Sequence, residues 1–182
     1  MLIAKERRKE NIAEYLLYMW HVEDLTRLFE FDLNKIDQSI IQQYDQPEKV
    51  REEIRDWYKQ IIYSLKEEGK EKNGHVSFVQ SVMDELNEIH VQLLDTGDPK
   101  YSELYKSAAP NIISLRNKME NKTLNDIEVC LNGLYGLMLL RLKKQEITGE
   151  TLEGMATISR LMAYLSKTFK EQEEKNNKGK KD

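Results

Sequence analysis

Residues 129–140 read Val-Cys-Leu-Asn-Gly-Leu-Tyr-Gly-Leu-Met-Leu-Leu and carry no charge, in a chain of 182 residues of which 33% are charged. A helix that is apolar on nearly every side is usually buried on most of its surface. The stretch therefore predicts a central helix, at about residues 123–145, that the other segments of the chain surround. It is too short to cross a bilayer, which needs roughly 20 apolar residues.

The rest of the chain predicts helices with one apolar side, because apolar residues recur there at steps of three and four. These helices are expected at residues 4–31, 33–44, 47–68, 76–95, 99–121 and 148–170. Thr123 is predicted to cap the central helix and Thr148 the last one, and Pro110 predicts a kink or break near Ala109. We expect an all-α, single-domain bundle of about six or seven helices.

The length of the chain suits one hydrophobic core, and we assign residues 1–170 to one helical domain. Residues 171–182 contain no apolar side chain and are expected to form a charged, frayed tail. Within the central helix, Gly133 and Gly136 predict a close approach by a neighbouring helix, since glycine inside a helix costs about 1 kcal/mol relative to alanine.

Composition restricts the class of protein. The net charge is −4, and glutamates interrupt the basic clusters near both ends, so we expect neither a nucleic-acid partner nor a membrane surface. The single cysteine allows no intramolecular disulfide, and the first residues lack the pattern of a secretory signal. These features predict a cytoplasmic protein.

Two stretches resemble a known family. Residues 8–15, Arg-Lys-Glu-Asn-Ile-Ala-Glu-Tyr, lead into Tyr-Met-Trp at 18–20, and residues 127–136, Ile-Glu-Val-Cys-Leu-Asn-Gly-Leu-Tyr-Gly, lead to Leu-Arg-Leu at 140–142. Over its full length the chain resembles an uncharacterised domain-of-unknown-function family of Bacteroidetes bacteria. The resemblance implies an all-helical cytoplasmic protein, and it supplies no activity, ligand or catalytic residue.

Two groups of polar residues are candidates for a ligand site. On the first predicted helix one stripe contains Arg7, Asn11, Glu14, Tyr18 and His21. A carboxylate, a phenol and an imidazole in one line can bind a polar ligand or exchange protons, but a charged stripe on an amphipathic helix also simply faces water. The central helix carries Glu128, Asn132 and Tyr135, which either bond to a neighbouring helix or line a pocket. The predicted ligand-binding residues are Glu14, Tyr18, His21, Glu128, Asn132 and Tyr135.

Enzyme motifs are missing from the sequence. The Glu-x-x-His pairs of di-iron bundles, the His-Glu-x-x-His zinc motif and phosphate-binding glycine loops do not occur. Cys130 lies in the most apolar segment, where a thiol is inert. We therefore predict no catalytic residue, no metal ligand and no cofactor, although separate histidines such as His21 and His90 could still converge.

Three functional hypotheses follow. The first is a non-enzymatic cytoplasmic interaction protein that self-associates or binds a protein partner through exposed aromatic residues such as Tyr15, Trp20 and Trp57, because large exposed apolar patches mark interaction surfaces. The second is a small-molecule-binding bundle with a polar pocket between the first and sixth predicted helices. The third is a metal-dependent enzyme.

Overall fold

Helices make up the fold, as the periodicity predicts. The structure is a computed structural model that describes residues 2–178, and within this range the chain contains no strand. A 3-10 turn, Ile41–Gln43, joins the third and fourth helices. The eight helices are α1 (Leu2–Glu10), α2 (Ile12–Leu28), α3 (Leu33–Ser39), α4 (Glu48–Glu67), α5 (Ser77–Asp95), α6 (Pro99–Lys118), α7 (Asp126–Leu142) and α8 (Gly149–Lys178). The predicted all-α class is confirmed.

The first predicted helix is two helices, so the prediction of one helix over residues 4–31 is wrong. Asn11 interrupts it with an extended backbone, and its side-chain oxygen accepts hydrogen bonds from the backbone N–H groups of Ala13 and Glu14, at 3.0 and 3.3 Å. Asparagine in this role satisfies N–H groups that have no partner inside the helix. α2 therefore begins with its own N-cap.

Two other predicted helix boundaries have different outcomes. α7 is capped by Asn125 and not by Thr123: Asn125 and Glu128 form a reciprocal capping box, with both hydrogen bonds at 2.9 Å. Thr148 does cap α8, since its hydroxyl accepts a hydrogen bond from the backbone N–H of Thr151 at 3.3 Å.

α6 continues through Pro110 without ending at Ala109. Proline inside a helix removes one backbone hydrogen bond, but α6 packs along α8 and buries Tyr101, Ala108 and Ile112. The packing of this apolar side keeps the helix in place.

α8 extends further than predicted, to Lys178, and so includes residues 171–178 of the predicted tail. Glu173 on this extension pairs with Arg8 of α1 at 2.8 Å. Residues 179–182 lie outside the described residues.

α7 is buried mainly along its N-terminal half, and Leu137 is the buried residue of its other half. Ile127, Val129, Cys130 and Leu131 are buried, whereas Leu142 near the other end is 61% exposed. α2 and α8 both contact α7 as well as α5, so three helices share the central position. The C-terminal half of α7 borders an open groove. No helix in the described part of the chain is long and apolar enough to span a membrane.

The two glycines of α7 differ in their surroundings. A Cβ atom on Gly133 would lie 2.6 Å from the Leu115 side chain of α6 and 3.2 Å from the Met155 side chain of α8, so two helices do approach here. Gly136 has nothing within 4 Å of such an atom, and the predicted close approach is wrong there.

We therefore expect Gly136→Ala to raise the free energy of unfolding by up to about 1 kcal/mol, because alanine favours the helix and meets no neighbour. Gly133→Ala should raise the free energy of unfolding by less, since the Leu115 side chain has to move to make room for the added methyl group. Urea denaturation measures both, and an equal gain in the two variants would contradict this interpretation.

Candidate functional site

A groove with a volume of about 870 Å³ lies between α2, α7 and α8. Its apolar lining comes from all three helices, and Arg7 of α1 also contributes. The lining residues are Arg7, Glu14, Leu17, Tyr18, His21, Leu134, Leu137, Met138, Arg141, Leu142, Leu152, Met155, Ala156, Ser159 and Arg160.

Apolar side chains line both the buried and the exposed parts of the groove. Leu137 and Met155 are buried, whereas Leu142 on α7 and Leu152 on α8 are 61% and 40% exposed. Covering exposed leucine side chains is favourable by about 25 cal/mol per Å² of apolar surface. The groove is therefore suited to a ligand with an apolar body.

Three of the six predicted site residues, Glu14, Tyr18 and His21, line this groove together. Glu14 pairs with Arg7 at 3.3 Å, and the Arg7 guanidinium lies 5.4 Å from the centre of the Tyr18 ring. Burial raises the pKa of Tyr18, and the neighbouring Tyr44 adds to this shift. Burial lowers the pKa of His21, although Asp24 opposes the shift. Tyr18 and His21 are thus uncharged at neutral pH.

Two arginines of the groove were not predicted. Arg141 on α7 and Arg160 on α8 line it with exposed side chains, and neither guanidinium forms a hydrogen bond or ion pair with any other residue that the structure describes. The sequence contains no signal for them, because the pairing of α7 with α8 decides which of the many charged residues of the chain face one another.

The other three predicted site residues lie outside the groove lining. Glu128 belongs to the capping box of α7, and Asn132 donates a hydrogen bond to the backbone oxygen of Glu128 at 2.8 Å. The Tyr135 hydroxyl donates to Asp24 at 2.7 Å. Only Tyr135 bonds to a neighbouring helix, α2, whereas the hydrogen bonds of Glu128 and Asn132 lie within α7 and its N-cap.

Sequence reasoning also missed a buried carboxylate, Glu23, which is 0% exposed. One of its oxygens lies 2.5 Å from His75 Nδ1, and the other accepts a hydrogen bond from the backbone N–H of Val76 at 2.9 Å. The His75 ring stacks on Trp20, with centroids 4.3 Å apart. The available signal is the position of Glu23 on the apolar stripe of α2, three residues after Trp20.

A second polar cluster lies between α5, α6 and the start of α7, with His90 and Tyr101 buried and Tyr105, Arg116 and Asp126 half-buried. His90 Nδ1 lies 2.7 Å from the Tyr101 hydroxyl, and Tyr105 donates to Asp126 at 2.5 Å. Burial lowers the pKa of His90, the bond to Asp126 raises that of Tyr105 to about 12, and burial raises that of the nearby Cys130 to about 12.

Asp126 is the acceptor at the centre of this cluster and also receives a hydrogen bond from Arg116. Burial by itself raises the pKa of the Asp126 carboxyl group. The hydrogen bonds from Tyr105 and Arg116 outweigh this effect and hold the pKa below its usual value. The cluster joins the start of α7 to α6.

The aromatic residues on which the interaction hypothesis rested are not a free surface. Tyr15 and Trp20 are buried at 8% and 4% exposure, and Trp57 is half-buried. That basis of the hypothesis is wrong, because α2 packs against α4, α5, α7 and α8.

No group of three or more histidine, cysteine, aspartate or glutamate side chains is placed to hold a metal ion within residues 2–178.

A family model matches nearly the whole chain. The family is described as a domain of unknown function, DUF4924, and its model matches residues 1–176. The chain belongs to this family. No match was found among curated proteins or among solved structures. Membership of DUF4924 agrees with the resemblance to an uncharacterised family, and it assigns no reaction, so an argument about function depends on the groove.

Proposed function

We propose that this DUF4924 protein is a non-catalytic binding protein that holds a small molecule with an apolar body in the groove between α2, α7 and α8. The supporting observation is the groove itself. Its volume of about 870 Å³ falls in the usual range of ligand clefts, roughly 300–1,000 Å³, which are mostly apolar with a few polar groups.

The polar groups of the groove favour binding over a reaction. Glu14 is already paired with Arg7, Tyr18 and His21 are uncharged, and arginine does not exchange protons near neutral pH. General acid–base catalysis needs a side chain that can reach the reacting group and transfer a proton. Glu14, the carboxylate of the lining, is held by Arg7, and the Nδ1 atom of His21 is buried.

Filling the groove tests the proposal. The probe is Nile red, an uncharged apolar dye whose fluorescence rises in apolar surroundings. Ala156→Trp places a large side chain in the groove, and Ala163→Trp makes the same change at an exposed position of α8 outside the lining. We expect the wild type and Ala163→Trp to bind the dye equally, and Ala156→Trp to bind it at least about tenfold more weakly because its side chain takes the place of the dye.

Circular dichroism and thermal unfolding establish that both tryptophan variants are folded. Equal dye binding by all three proteins, or none by the wild type, would overturn the proposal.

A second candidate function is binding to a protein partner, including a second copy of this chain. Leu142 and Leu152 favour it, since they are 61% and 40% exposed in the lining of one groove, and exposed apolar residues that form a patch mark interaction surfaces. Size-exclusion chromatography with light scattering tests self-association. If the chain self-associates through the groove, we expect the wild type to be a dimer and Leu142→Glu to be a monomer. Ile113→Glu is the control, because Ile113 of α6 is similar in size and exposure, and this variant should be a dimer like the wild type. A monomeric wild type at high concentration would exclude self-association.

The cytoplasmic location and the Bacteroidetes origin expected from the sequence are part of the same proposal. A small-molecule-binding protein with one buried free cysteine is compatible with a reducing compartment.

A further inference from the structure

The charge of the groove indicates which kind of ligand it can bind. Three arginines and one carboxylate line it, so the lining has an excess of two positive charges when His21 is neutral. The whole chain has a net charge of −4. The positive charge of the groove is therefore local and does not follow from the composition.

The excess charge resides on Arg141 and Arg160. Arg7 is paired with Glu14, whereas the exposed guanidinium groups of Arg141 and Arg160 have no partner among residues 2–178. Both stand beside apolar residues of the groove, Leu142 next to Arg141 and Ala156 one turn before Arg160. A guanidinium next to apolar surface matches a ligand that joins an anionic group to a hydrocarbon body.

The groove is elongated along its helices. On α7 its lining runs from Leu134 to Leu142, and on α8 from Leu152 to Arg160, which is roughly 12 Å along each helix axis. A linear hydrocarbon chain fits this shape better than a compact sugar or nucleotide does.

We propose that the groove binds an anionic amphiphile, a molecule with a linear hydrocarbon body and a carboxylate head group that pairs with Arg141 and Arg160. This inference rests on the proposed function, since it names the class of the small molecule. The hydrocarbon body covers the leucines of the groove, and the head group supplies the counter-charge that the described residues lack.

Three probes of equal chain length test the head group: decanoate, decanol and decylammonium, each below its micelle concentration and measured by displacement of Nile red. We expect decanoate to bind a few-fold, up to about fivefold, more tightly than decanol, because Arg141 and Arg160 are exposed and water weakens ion pairs at exposed positions. Decylammonium should bind most weakly. The preference for decanoate should decrease with added salt.

Substitutions of the two arginines test whether they cause the preference for decanoate over decanol. Arg141→Gln and Arg160→Gln should each reduce decanoate affinity, and the double variant should bind decanoate and decanol equally. Lys122→Gln is the control, because it removes one positive charge from an exposed position outside the groove lining. It should leave the preference unchanged.

The outcomes separate this inference from the proposed function. Suppose that Nile red and decanol bind but decanoate binds no more tightly than decanol, or that the double variant still binds decanoate more tightly. The groove is then a binding site, but the assignment of an anionic ligand is wrong. If the dye and all three probes fail to bind the wild type, the proposed function is wrong as well.

Discussion

Glu23→Ala is expected to lower the free energy of unfolding by about 3 kcal/mol. Glu23 is fully buried on α2 and bonds to His75 and to the backbone N–H of Val76 at the start of α5. Removing the carboxylate leaves the buried Val76 N–H without its acceptor. Loss of one member of a fully buried pair typically costs 3–5 kcal/mol, and the 23% exposure of His75 places this loss at the lower end. Urea denaturation measures the loss.

Two variants separate the buried pair from a general effect of lost charge. Glu23→Gln keeps an oxygen that can accept the Val76 hydrogen bond, so its loss should be clearly smaller than that of Glu23→Ala. Glu14→Ala removes a carboxylate from the same helix, but its ion pair with Arg7 is exposed, and it should cost less than about 1 kcal/mol. Equal losses for Glu23→Ala and Glu14→Ala would show that burial of Glu23 contributes nothing.

Asp126→Ala is expected to lower the free energy of unfolding by about 2 kcal/mol at neutral pH. The Asp126 carboxylate accepts hydrogen bonds from Tyr105 and Arg116 of α6, and it lies in the first turn of α7. Hydrogen bonds to a charged group contribute more than neutral ones, and an anion near a helix N-terminus adds stability. Chemical denaturation of the wild type and variant gives the difference.

The effect of Asp126 should depend on pH in one direction. Its pKa is lower in the folded protein than in the unfolded chain, so its charge stabilises the fold fully above the unfolded value, near pH 4. This contribution is lost as the pH falls through the folded pKa. The difference in stability between the wild type and Asp126→Asn should therefore shrink below about pH 4, and a difference that grew on acidification would contradict the assignment.

Most of the helices could be predicted because burial of an apolar stripe imposes a period of three to four residues on the sequence. Errors arose where a local hydrogen bond competes with that period. The pattern runs across Asn11 without interruption, yet the Asn11 side chain caps a new helix. Likewise Asn125 caps α7 and Thr123 does not, because the reciprocal bond with Glu128 stabilises the later start.

The candidate site could be predicted only in part. Glu14, Tyr18 and His21 share one stripe of a single helix, and helical geometry alone brings them together. Glu128, Asn132 and Tyr135 also share a side of one helix, but capping and the bond from Tyr135 to Asp24 occupy them. A stripe pattern identifies which polar groups are neighbours, and it does not say whether a neighbouring helix covers them.

The sequence by itself determined that this protein is a helical bundle and that its uncharged stretch enters the core, since both follow from the spacing of apolar residues along one chain. Only the tertiary structure decided that α7 emerges from the core at Leu134–Leu142 and that α8 brings Leu152 and Arg160 to the same groove as His21. The physical reason is that a groove is formed by surfaces distant in sequence, and their register depends on packing between helices, which no local pattern encodes.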